Sequence, residues 1–130
     1  MPVAREVLIV DDSLPTTRAL AELLMRDGFE VAAYTNGADA LKYLEVGKPA
    51  AAVVDIHLPD ISGLALSQHI RDTHGPDLPI IIISGDASMH NINSLSVAGA
   101  TYFYSKPLKA SELIARLREL TARQPAAPAA

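Results

Sequence analysis

A chain of 130 residues, 49% of them hydrophobic, can bury one full core and has no room for a second domain. The net charge of −4 argues against direct nucleic-acid binding, and the absence of cysteine excludes disulfides and thiolate metal sites. Only four apolar residues follow Arg5 and Glu6 before the first acids, far short of a signal-peptide core or a membrane span, so a cytoplasmic protein is expected.

Short β-branched runs alternate with longer segments of helical period, the pattern of successive βα units around a parallel sheet. A first strand is expected over 7–10, followed by Asp11-Asp12 and a helix over 13–26. Ser13 caps that helix, Pro15 stands in its first turn and Gly28 lies just past its end. Its buried stripe reads as Ala19, Leu20, Leu23 and Leu24. A strand over 30–34 leads to a short helix over 37–46 that buries Ala40, Leu41 and Leu44. The third strand, 51–54, ends at Asp55 and precedes a helix over 62–73 that partly buries Leu64, Leu66 and Ile70. The fourth strand, 79–83, ends at Ser84. The helix after it, 88–98, is rich in Asn and Ser, with only Ile92, Leu95 and Ala98 on its apolar face, and is the element expected to move. A strand over 101–104 runs into Lys106-Pro107, and a last helix over 110–123 buries Leu113, Ile114, Leu117 and Leu120. The domain thus spans 1–123, and 124–130 is a Pro/Ala tail, read as disordered or as a truncated linker. The first, third and fourth strands are apolar throughout, as strands covered by helices on both faces are.

In a parallel sheet every strand points the same way, so the residues at those strand ends gather at one rim: Asp11, Asp12, Asp55, Ser84 and Lys106. Two unit charges about 4 Å apart repel by roughly 4 kcal/mol at an effective dielectric of about 20, near three pKa units. Three clustered acids therefore stay partly protonated or hold a hard cation. Oxygen donors without Cys or paired His favour Mg²⁺. Asp55 can then serve as a nucleophile toward a phosphoryl group, with Lys106 supplying an ammonium and Ser84 a hydroxyl. Each residue has a plainer reading when taken alone. Asp11 and Asp12 suit a helix cap, Ser84-Gly85 a turn, and Lys106 a solvated charge. The histidines His57, His69, His74 and His90 show no metal-ligand spacing and read as surface residues.

Asp11-Asp12, the run Asp55-Ile56-His57-Leu58-Pro59-Asp60-Ile61-Ser62-Gly63-Leu64, Ile82-Ile83-Ser84-Gly85, and Gly99 through Pro107 together resemble the receiver domain of two-component response regulators, over residues 5 to 122. Four motifs in order, each at a strand end, make that resemblance specific. It implies a doubly wound, five-stranded parallel sheet of strand order 2-1-3-4-5, the flavodoxin-like or CheY-like (βα)5 fold. It further implies that Asp55 accepts a phosphoryl group from a sensor histidine kinase or phosphotransfer protein, with Asp11, Asp12 and the backbone carbonyl of His57 around Mg²⁺. Ser84 and Lys106 would bind phosphoryl oxygens, and Phe103 sits at the switch aromatic position. The readout face would be the fourth helix, fifth strand and last helix, and it leaves room for a phosphorylation-dependent homodimer. The resemblance also implies that His57 and Asp86 occupy positions that in this family influence how fast the aspartyl phosphate hydrolyses. The output would lie in a downstream protein or an attached domain.

Two other readings share parts of this pattern. A Mg²⁺-dependent phosphatase with an aspartyl nucleophile would use the same Lys and Ser, but carries Asp two residues after the nucleophile, where this chain has His57. A receiver-like interaction module that is never phosphorylated would tolerate loss of these positions, and all are filled. A dinucleotide-binding fold is weaker, because the loop Asp11-Asp12-Ser13-Leu14-Pro15 has no glycine to admit phosphates.

Overall fold

The computed structural model describes residues 5–85, 99–106 and 109–122. Its elements are β1 (Glu6–Val10), α1 (Leu14–Arg26), β2 (Glu30–Tyr34), α2 (Gly37–Leu44), β3 (Ala51–Asp55), α3 (Gly63–His74), β4 (Ile80–Ser84), β5 (Tyr102–Ser105) and α4 (Ala110–Ala122). The helix expected over 88–98, the residue Asp86 and the tail 124–130 lie outside the described residues.

All four strand pairings are parallel, in the order β2-β1-β3-β4-β5. Alternation along each strand splits the core in two. Leu8, Val10, Ala52, Val54, Ile80 and Ile82 face α2 and α3, where Ala40, Leu44, Leu66 and Ile70 meet them. Val7, Ile9, Ala51, Val53, Ile81 and Ile83 face α1 and α4, against Leu20, Leu24, Leu113 and Leu117. Helices on both faces make the sheet doubly wound, and because β1 and β3 are neighbours whose following helices lie on opposite faces, a crevice opens at their carboxyl ends.

Two strands run one residue further than the apolar runs suggest. Asp55 pairs with Ile83 and Ser84 with Ser105, so both polar residues belong to the ladder instead of the loops. The stripe of α1 also differs: Thr17, Leu20 and Leu24 are buried, whereas Ala19 is exposed and Leu23 is 37% exposed. At about 100° per residue, the adjacent pairs Ala19-Leu20 and Leu23-Leu24 span more than one stripe, and the member of each pair nearer Thr17 in angle is the buried one. Thr17 is tolerated inside because its hydroxyl lies 3.1 Å from the Asp11 carbonyl and 2.8 Å from that of Ser13. His57 and His69 are exposed as expected, but His74 is half-buried, with a ring nitrogen 3.2 Å from the Leu44 carbonyl. His90 lies outside the described residues. On the outer strand β5, Tyr104 accepts a hydrogen bond from Arg116 of α4 at 3.1 Å, and the guanidinium lies 4.4 Å from the centre of the Tyr102 ring.

Candidate functional site

Asp11 follows β1 directly and is 1% exposed; Asp55 ends β3 and is 3% exposed. Carboxylates buried to this degree need partners. Asp11 Oδ1 accepts from the Ser13 amide at 2.9 Å, the turn that starts α1, and Asp55 Oδ1 accepts from the His57 amide at 3.1 Å. The remaining oxygens of both residues converge on one cation: Lys106 Nζ stands 3.2 Å from Asp11 Oδ2 and 2.9 Å from Asp55 Oδ2. Lys106 reaches them from beyond β5, across β4, and its amide is fastened to the Ser84 carbonyl at 2.8 Å.

Burial pushes the Asp11 carboxyl above the ordinary carboxylate value, and the Ser13 amide and Lys106 draw it back only in part. Burial works against the Lys106 ammonium, but the Asp55 and Asp11 carboxylates outweigh it and hold the lysine above its ordinary value. The lysine is therefore charged at neutral pH.

Asp12 is exposed, and oxygens of Asp11, Asp12 and Asp55 lie within 4.8 Å of one another. Among the described residues this is the one cluster of at least three potential ligand groups, and it offers oxygen alone. Three carboxyl groups face a single ammonium, so the rim has more acidic than basic groups. The donor set thus fits a hard divalent ion.

Ser84, buried at the end of β4, is one residue past the ladder partner of Asp55. Phe103 pairs with Ile82 and packs, half-buried, on the α2–α3 side, while Tyr102 and Tyr104 pack on the other. His57 turns an exposed side chain outward beside an open cavity of about 530 Å³ lined by Asp12 and the β3–α3 loop. Asp11, Asp12, Asp55 and Lys106 are thus brought together, Ser84 stands beside them in the sheet, and Phe103 lies on the same outer strand that leads to the lysine.

The loop between β3 and α3 has two supports that sequence reasoning missed. Gly63 is required because a Cβ there would overlap the Asp55 carbonyl, and its amide donates to the Ile56 carbonyl at 2.7 Å. Asp60 accepts hydrogen bonds from the Gly37 and Ala38 amides, both at 2.8 Å. Asp60 beside Pro59 signals a turn or cap, but the helix it caps starts 23 residues earlier in the chain.

The family profile described as the response regulator receiver domain matches residues 7–118. The chain is 33% identical over 123 residues to the response regulator MprA of Mycobacterium sp. (strain KMS), covering 95% of this chain and 52% of that relative, so it spans about half the relative's length. It is similar to the crystal structure of a response regulator receiver domain protein (CheY-like) from Methanospirillum hungatei JF-1, with a TM-score of 0.86 and 27% identity over 92% of this chain and 95% of that one. It is also similar to the response regulator TrrA from Thermotoga maritima, solved in complex with Mg(2+)-BeF, with a TM-score of 0.80 and 28% identity over 89% and 98% of the two chains.

Proposed function

Since the chain belongs to the response regulator receiver domain family of two-component signalling, we propose that it is a phosphorylation-dependent switch in which Asp55 is the phosphoacceptor. The observation that supports this assignment is the convergence of Asp11, Asp55 and Lys106 at the carboxyl rim of the sheet, with Asp12 at its edge. Asp11, Asp12, Asp55 and the main-chain carbonyl of His57 would hold Mg²⁺. Bound there, the ion neutralises the carboxylates and the oxygens of an incoming phosphoryl group.

An Asp55 carboxylate oxygen attacks the phosphorus of a phosphohistidine on a sensor histidine kinase or phosphotransfer protein. The O–P bond forms as the N–P bond breaks, and the histidine nitrogen leaves with the electron pair. Lys106 neutralises charge on the transferring oxygens and Ser84 donates its hydroxyl to one of them. Phe103 relays the change to a surface carrying β5 and α4, where a downstream protein, an attached output domain or a second copy reads it. His57 and Asp86 tune the lifetime of the aspartyl phosphate. The phosphatase and unphosphorylated-module readings have no observation in their favour.

Incubation with acetyl phosphate and Mg²⁺ is expected to add one phosphoryl group by intact mass, and Asp55→Asn or chelation of the metal abolishes it. An unmodified wild-type chain, offered both acetyl phosphate and phosphorylated kinases, would sink the assignment.

A further inference from the structure

We propose that Asp60 is a positioning residue for the cation site: its carboxylate ties the β3–α3 loop to the first turn of α2 and thereby fixes the place of the His57 carbonyl. The inference rests on the assignment of that carbonyl, with Asp11, Asp12 and Asp55, to Mg²⁺.

The loop 56–62 is anchored at both ends by its own neighbours. The Ile56 amide donates to the Ile83 carbonyl at 3.1 Å, the His57 amide to Asp55 Oδ1, and His57 forms an antiparallel bridge with Ser62 next to the Gly63 contact. Its middle is held from outside. Asp60 Oδ1 accepts from the Gly37 amide at 2.8 Å and from the Ile61 amide at 3.0 Å, and Oδ2 accepts from the Ala38 amide at 2.8 Å.

Helices begin with amides that have no partner inside the helix, and a carboxylate placed there also meets the positive end of the helix dipole. In α2 the work is divided. The side chain of Asn36, the local cap, takes the Asp39 amide at 2.8 Å, and Asp60 takes the two amides before it. The amides of Gly37 and Ala38 hold the Asp60 carboxyl below its ordinary value, so it carries its charge at neutral pH. Gly37 is part of the joint, because a Cβ there would overlap Ile61. A loop pinned to a helix at its centre cannot drift from the carboxylates at its start. Groups that orient metal ligands govern affinity without touching the ion, and Asp60, which bonds no ligand itself, acts on the His57 carbonyl through the loop backbone.

Mg²⁺ titration by isothermal calorimetry on the full chain, with acetyl phosphate labelling at a series of Mg²⁺ concentrations, tests this in wild type, Asp60→Ala, Asp60→Asn and Asn36→Ala. Asp60→Ala is expected to weaken Mg²⁺ about tenfold while labelling at saturating Mg²⁺ keeps the wild-type rate, and Asp60→Asn, which keeps one acceptor oxygen, recovers part of the affinity. Asn36→Ala removes the other cap of the same helix and is expected to lower the melting temperature with Mg²⁺ affinity unchanged. Wild-type affinity in Asp60→Ala overturns the inference, as does an equal loss in Asn36→Ala, which would trace the effect to helix stability. If Asp60→Ala is unfolded by circular dichroism, Asp60→Asn decides, and wild-type affinity there is the overturning result. A wild-type chain that binds no Mg²⁺ removes the functional assignment itself, and this inference with it.

Discussion

Asp11 shows how the site sets function against stability. Its carboxyl is raised by burial first and by the Asp55 charge last, with Ser13 and Lys106 opposing. A folded-state value above the unfolded one means that the folded chain binds the proton more tightly. Stability is therefore gained as pH falls through the raised value toward the unfolded one, and withdrawn as the group ionises on the way to neutrality. Asp11→Asn is expected to raise the melting temperature at about pH 7 by a few degrees without divalent cation, to flatten its acid-range pH dependence, and to weaken Mg²⁺ binding. Calorimetric scans between about pH 4 and about pH 7 check all but the last; a wild-type slope in the variant would assign the shift elsewhere. The gathering of Asp11, Asp12, Asp55 and Lys106 was legible because each stands at or just past the end of a parallel strand. Asp60 and Thr17 were not, since the groups they bind, the Gly37 amide and the Asp11 carbonyl, are backbone atoms that no side-chain pattern marks.

Among the elements, α1 and the β3–α3 loop mark the limit of periodicity. Leu23 and Leu24 are equivalent in composition, yet Leu24 is fully buried and Leu23 is not. Leu24→Ala is expected to cost about 2–5 kcal/mol in urea unfolding, and Leu23→Gln no more than about 0.5 kcal/mol; comparable losses would contradict the observed rotation of the helix. Element existence was legible throughout the described residues, with boundaries moved by one or two positions. The rotation of α1 was not, because Thr17 counts as polar in any pattern and is buried through two local hydrogen bonds. At the start of α3, Gly63→Ala drives a methyl group into the Asp55 carbonyl. A loss of about 2–3 kcal/mol, together with slower acetyl phosphate labelling, is expected. Normal labelling would mean that the loop and Asp55 move independently.

At the scale of the whole molecule, runs of apolar residues reveal strands but carry no information on which strand lies beside which. The order β2-β1-β3-β4-β5 was legible only through the family resemblance. That order matters because it makes β1 and β3 neighbours and β5 an edge. A ligand that binds only the folded chain stabilises it by mass action, so Mg²⁺ at about 100 times its dissociation constant should add about 2.7 kcal/mol. The rise in melting temperature should vanish in Asp12→Asn; an equal rise there would place the ion elsewhere.

Lys106 joins the edge strand to the centre of the sheet twice over, by its amide on Ser84 and by its ammonium on Asp11 and Asp55. An edge strand has one ladder of its own and opens by local fluctuation before the centre does. Here the energy of that opening includes two ion pairs, with Asp11 just past β1 and with Asp55 at the end of β3. The amide protons of β5 should therefore exchange with deuterium at a rate governed by charges two and three strands away, faster in Lys106→Met, while the amides of β1 and β3 keep their protection. The solvent exchange of an outer strand becomes a clock for the ionic state of the rim.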